Sequence, residues 1–187
     1  MVAEPKTTRG FTVSEGMMIV RNSSSPVVRR ANPSDVDVVQ EISAAAYIPA
    51  YLALIGVVPK PASEDYRPRI ERGEVWMLDL AGKPVGIAVL EERSDHLVVY
   101  SIAVRPEQQR KGFGSLLLQF ADQRAIEIGA HEVRLYTNQR MKQNLAQYRR
   151  HGFVEVGTRP HPSRPGEVLV DMTKMLRPST SVPPRRA

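Results

Sequence analysis

Cysteine is absent from the 187 residues, which excludes disulfides, a thiolate nucleophile, a cysteinyl acyl-enzyme and thiolate metal ligation. A cysteine-free chain fits a cytoplasmic setting. Histidine is scarce as well, four in all. None sits in an HExxH pattern or at carboxylate-paired metal spacing, so no metal is expected. Aromatic residues make up 6%, little for stacking nucleic-acid bases. The N-terminus has no basic stretch leading into an apolar core, so a signal peptide is not expected. By inspection no apolar run approaches the ~20 residues that span a bilayer, so no membrane partner is expected. The formal net charge is +6, but Arg177, Arg185 and Arg186 sit together in the last eleven residues. The body left behind is close to neutral, which argues against a nucleic-acid platform.

What is present suits one soluble domain with a real core: 42% apolar and 25% charged residues. Residues 1–25 are polar and are expected to be a partly disordered extension. Residues 177–187, "RPSTSVPPRRA", are expected to be a disordered basic tail. The body, 26–176, alternates. "VVRRA" predicts a strand. Asn32, Pro33, Asp35 and Asp37 then signal a helix start, with Val36, Val39 and Ile42 on one face. Residues 48–72 hold Pro49, Pro59, Pro61 and Pro68 and predict a broken second helix and a loop. "EVWMLDL", "AGKP" and "VGIAVLEE" predict a hairpin. "HLVVYSIAV" (96–104) reads as a central strand covered on both faces. A helix over 115–128, a strand over 131–137, a helix over 141–151 and two closing strands follow. The order predicts a mixed α/β fold, an antiparallel meander feeding a β-α-β unit.

"QQRKGFG" (108–114) stands between the central strand and the first helix of that unit. The first N–H groups of a helix have no intrahelical partner and carry partial positive charge. Glycines at 112 and 114 would let a ligand approach the backbone, and Arg110 and Lys111 add full charges. Such a turn suits a pyrophosphate; the other reading is a solvated basic turn with glycines for geometry. Leu117 stands where a dinucleotide fingerprint needs its third glycine, and a P-loop's Gly-Lys-Ser/Thr is missing.

Gln109-Arg110-Lys111-Gly112-Phe113-Gly114 resembles the Gln/Arg-x-x-Gly-x-Gly/Ala motif of the GNAT superfamily of N-acetyltransferases. "LYTNQRMKQNLAQYRRHGF" (135–153) resembles that family's later motif: a strand, a tyrosine-bearing helix, then Gly-Phe. The resemblance covers roughly 26–176. It implies a GNAT-like fold with a mostly antiparallel sheet and a splayed β-α-β site, and an acyl-CoA-dependent N-acetyltransferase with acetyl-CoA as co-substrate. Backbone groups of Ile102, Ala103 and Val104 would take the pantetheine arm, with one N–H polarising the thioester carbonyl. Backbone N–H groups of Gln109, Arg110, Lys111, Gly112, Phe113 and Gly114 would hold the pyrophosphate, with Ser115 also binding the cofactor. Tyr148 would contact the coenzyme and protonate the leaving thiolate.

Two positions depart from the family pattern. Met141 stands where many members have a coenzyme-contacting asparagine, and Asn144 lies one turn on, roughly on the same face. Val98 stands where some members carry a glutamate base; Glu91, Glu92, His96 or water remain for that task. His131, His151 and His161 read as surface or strand-end residues. Tyr47, Tyr51 and Tyr66 fall where the family lines its acceptor pocket. The acceptor stays open among a free amino acid, a polyamine, an antibiotic and a peptide or protein N-terminus. A homodimer is compatible with the family, and a non-catalytic acyl-CoA sensor is the rival reading.

Overall fold

The computed structural model describes residues 25–176, so both expected tails, apart from Ser25, lie outside the described residues. Seven strands form one sheet in the order β1-β2-β3-β4-β5-β7-β6. The strands are β1 (Pro26–Arg30), β2 (Val75–Leu80), β3 (Lys83–Glu92), β4 (Leu97–Val104), β5 (Glu132–Asn138), β6 (Val154–Pro160) and β7 (Val168–Met175). The helices are α1 (Val36–Ile55), α2 (Arg67–Glu71), α3 (Phe113–Glu127) and α4 (Lys142–Arg150). Neighbouring strands are antiparallel except β4 and β5, as a helix-bearing crossover between them requires.

The two faces of the sheet follow from strand alternation. Leu78, Ala88, Leu90 and Leu97 face one way and pack with Leu117, Leu118 and Ala121 of α3. Met77, Ile87, Val89 and Ala103 face the other way, against Val39 and Ile42 of α1 and the fully buried Tyr66. β6 ends the sheet as an edge strand whose residues are all exposed, Val154 and Val156 included.

Helix α1 starts as its sequence requires. The Asn32 side chain accepts from the Ser34 N–H at 3.0 Å, and Asp35 accepts from the Asn32 N–H at 2.8 Å. This reciprocal capping box closes a 3-10 turn, Pro33–Asp35, on which α1 continues. The helix then runs through Pro49 to Ile55, which corrects the expected break at 48. An internal proline removes one N–H donor and leaves the carbonyl four residues back without its helical partner, a cost borne here beside an exposed ring. Termination comes at Gly56, left-handed at φ +77°, whose N–H bonds the Leu52 and Tyr51 carbonyls. A second correction concerns hydropathy. The stretch Pro33–Ile55 is long and apolar enough by composition to cross a membrane, although it packs Val39 and Ile42 on the sheet.

Candidate active site

β4 and β5 diverge. Only Leu97–Val133 and Val98–Arg134 pair between them, whereas β3 and β4 pair from Gly86–Val104 to Glu92–Leu97. Beyond Val98 the edge of β4 that faces β5 is open to other partners. Tyr47, from α1, takes part of it: its hydroxyl donates to the Ile102 carbonyl at 2.8 Å and accepts from the Ile102 N–H at 3.1 Å. The Gln109 side-chain amide donates to the Val104 carbonyl at 3.0 Å.

Below this split lies a cavity of about 1030 Å³. Of the residues expected to hold the donor, Ile102, Ala103, Val104, Gln109, Arg110, Gly112, Gly114, Ser115, Asn144 and Tyr148 line it. Lys111 and Phe113 do not. Lys111 turns back to the Gln108 side-chain carbonyl at 3.1 Å, and the Phe113 ring packs into the core under α3. Arg110 and Gly112 both have positive φ, 62° and 89°. This local geometry turns backbone N–H groups toward one side, as an anion nest does, ahead of an α3 N-terminus that no side chain caps. Gly112 therefore serves backbone conformation. Gly114 serves a neighbour: a Cβ there would stand 2.8 Å from Nε2 of Gln147 on α4. Arg140, Lys142 and Arg150 add positive charge to the same cavity.

His151, expected at the surface, also lines this cavity, and its Nε2 lies 2.9 Å from the Ser115 hydroxyl. Burial, with Lys174 nearby, pushes the imidazole below its ordinary range, so it is neutral at neutral pH.

A second cavity of about 360 Å³ also has Tyr148 in its wall. Tyr47, Ile102, Asn144 and Tyr148 line both. The Tyr148 ring packs edge-on to Phe153 at 6.0 Å. Burial holds its phenol well above the ordinary value, and Tyr51 adds to the effect. The phenol thus keeps its proton at any physiological pH.

Tyr47 and Tyr51 line the second cavity as expected, and Tyr66 does not. Tyr66 is fully buried under α1, its hydroxyl donating to the Pro61 carbonyl at 2.7 Å, with the Ser43 hydroxyl 2.9 Å away. Neither Glu91 nor Glu92 reaches either cavity wall. Glu91 accepts from Arg69 at 3.0 Å and from Arg93; Glu92 accepts from Arg124 at 2.8 Å. His96 is spent on Asp95 at 2.7 Å. Sequence reading missed Tyr100, Tyr136, Arg159, His161 and Arg164 on this wall. Only the fold brings them there, from β4, β5 and the β6–β7 hairpin.

The Acetyltransferase (GNAT) domain family matches residues 71–155, the stretch from the end of α2 through the anion loop and α4. An uncharacterized N-acetyltransferase of Bacillus subtilis (strain 168), YvbK, is 29% identical over 103 residues, 54% of this chain. Residues 71–155 are thus similar to a GNAT acetyltransferase domain. The aligned stretch spans 64% of YvbK's length. Solved GNAT structures share the fold at low identity. The PaiA N-acetyltransferase of Thermoplasma acidophilum, in complex with coenzyme A, superposes with a TM-score of 0.67 at 17% identity, over 81% of this chain and 99% of that one. YncA of Salmonella typhimurium, a putative acetyltransferase with its cofactor acetyl-CoA, gives 0.64 at 19% identity, over 87% and 100%.

Proposed function

We propose that the chain transfers the acetyl group of acetyl-CoA to a primary amine by direct attack in a ternary complex, residues 26–176 forming the catalytic unit. The observation that carries this reading is the shared wall: Tyr148, Asn144, Ile102 and Tyr47 line both cavities. A donor in the larger cavity and an acceptor in the smaller one would meet at the Tyr148 hydroxyl.

The larger cavity fits acetyl-CoA. The open β4 edge offers backbone hydrogen bonds to the pantetheine arm. The nest at Arg110–Gly112 and the N-terminus of α3 suit the pyrophosphate. Arg140, Lys142 and Arg150 supply cations for further phosphate. Asn144 takes the contact that Met141 cannot make.

The amine nitrogen attacks the thioester carbonyl carbon and the carbon–sulfur bond breaks. A backbone N–H of β4 stabilises the developing oxyanion. The departing thiolate takes the Tyr148 proton, and the proton lost by the amine passes to water and restores the phenol. Holding both reactants in adjoining cavities supplies much of the acceleration through proximity. Among the described residues no carboxylate lines the acceptor cavity, so no protein base is assigned.

Titration with acetyl-CoA by calorimetry, followed by thiol release with an amine panel, tests the proposal. Micromolar binding with CoA release is expected. Absence of binding at tens of micromolar overturns it, and binding without release to any amine leaves a sensor.

A further inference from the structure

The walls of the acceptor cavity carry one sign of charge. Lys60, Arg159 and Arg164 line it together with tyrosines, and among the described residues no aspartate or glutamate does. Acids close to this wall are already engaged elsewhere. Glu64 accepts from Arg69 at 2.5 Å and from the Tyr100 hydroxyl at 2.6 Å. Asp171 accepts from Arg159 at 3.0 Å, whose guanidinium also stacks 4.9 Å from the Tyr136 ring centre. Glu167 is held by the Asn138 amide at 2.7 Å and by Arg140 at 3.3 Å.

Arg164 differs from these paired arginines. Its Nη2 donates to the Val58 carbonyl at 3.2 Å, tying the turn between β6 and β7 to the segment after α1. That bond uses one of the five N–H donors of a guanidinium. Among the described residues no carboxylate pairs with Arg164, though it is only partly exposed. A half-buried, half-satisfied arginine fork on a cavity wall matches a carboxylate in bidentate geometry.

We infer that the acceptor is a small primary amine that also bears a carboxylate, and that Arg164, assisted by Lys60, binds that carboxylate while the amine lies at Tyr148. The inference rests on the acetyl-transfer reading and names its substrate class. A polyamine or an aminated antibiotic would bring more positive charge to a wall where, among the described residues, Lys60 and Arg164 have no carboxylate partner and like charges repel. The cavity, about 360 Å³, is at the lower end of small-ligand pockets and suits a molecule of amino-acid size. Its tyrosines give the connecting carbons an apolar surface to lie on.

Matched pairs test this: γ-aminobutyrate against n-butylamine, and L-phenylalanine against 2-phenylethylamine, with spermidine and a short acidic peptide as further arms. CoA release gives kcat/KM, and calorimetry with CoA-saturated protein gives affinity without turnover. The carboxylate-bearing member of at least one pair is expected to win by about tenfold or more, the value of one charge-assisted hydrogen-bonded pair. Arg164→Ala should collapse that ratio toward one, and Arg164→Lys should keep part of it. Because Arg164 also tethers two loops, the exposed Lys60→Ala serves as a second variant and should lower the ratio severalfold. Preference for the neutral amines or spermidine overturns the inference, as does a ratio that survives Arg164→Ala combined with Lys60→Ala. Turnover of the peptide in preference to the small acids overturns the small-molecule part. Failure of acetyl-CoA itself to bind overturns the parent reading instead, and the affinities of the pairs, repeated without coenzyme, then judge the carboxylate site on its own.

Discussion

The Tyr47 hydroxyl closes a two-bond ring on Ile102, donating to its carbonyl at 2.8 Å and accepting from its N–H at 3.1 Å, with the Ser101 hydroxyl 3.0 Å away. These are backbone groups that a donor's pantetheine arm would use. On the proposed donor placement the coenzyme displaces a phenol, and Tyr47→Phe should bind CoA about fivefold more tightly, the equivalent of about 1 kcal/mol for one hydrogen bond. The same variant should lose about 1 kcal/mol of unfolding free energy, since the free protein then leaves Ile102 unsatisfied. Calorimetry and urea titration check the two effects, and unchanged affinity would show that Tyr47 does not compete with the donor.

Tyr148→Phe isolates the proton donor. The expected result is a fall in kcat of about 10²–10³-fold, the range of general-acid contributions, with CoA affinity within about twofold. Burial raises the Tyr148 phenol above its ordinary value, so its acid form persists as pH rises. The alkaline limb of kcat should accordingly lie above the ordinary phenol value of about 10, and a limb near pH 8 that disappears in Tyr148→Phe would contradict the assignment.

Gly112→Ala and Gly114→Ala should behave differently although both glycines belong to one motif. Residue 112 sits at φ +89°, so alanine there is strained by about 1–2 kcal/mol and should also weaken CoA binding by disturbing the nest. At 114 the obstacle is the mobile end of the Gln147 side chain, and alanine favours the helix over glycine by up to about 1 kcal/mol. Thermal denaturation should place Gly112→Ala several degrees below wild type and Gly114→Ala near it.

Asp35 anchors the first turn of α1 by capping Asn32 and pairing with Arg29 at 2.8 and 2.9 Å. The Arg29 hydrogen bonds hold its carboxyl below the ordinary 3.8. Its stabilising contribution is thus fully present above about pH 4 and is lost as pH falls through the depressed native value. Asp35→Asn should cost about 2 kcal/mol at pH 7, from a weakened cap and a lost ion pair. The gap to wild type should narrow as pH falls below about 4, as followed by urea unfolding across pH.

Local pattern made much of this fold legible. The apolar alternation of β2 and β3, the unbroken run of β4 and the glycines after α3 and α4 each specify an element without tertiary help. Pro49 misled because a proline usually ends a helix, and here packing of the preceding turns on the sheet outweighs its cost. Residues of the larger cavity were readable because they lie in two short segments flanking one strand. The wall of the smaller cavity was not, because Tyr100, Tyr136, Arg159 and Arg164 are far apart in sequence and meet only when the β6–β7 hairpin folds beside α1. Glu91 looked available in sequence and is in fact bound by Arg69 and Arg93. Tyr66 sits among the same aromatic residues as Tyr47 and Tyr51, yet its hydroxyl is consumed by Ser43 and Pro61.

Tyr47 is also a wall of the smaller cavity, so on the proposed reading one side chain would be shared between two ligands. Any rearrangement that the coenzyme imposes on it alters the surface offered to the amine, and linkage makes that influence mutual. Whatever factor acetyl-CoA applies to amine affinity, the amine must apply to acetyl-CoA affinity. A single phenol would thereby make two chemically unrelated molecules report on each other's concentration, and an amine too poor to be acetylated would still show itself as a change in the dissociation constant of the coenzyme.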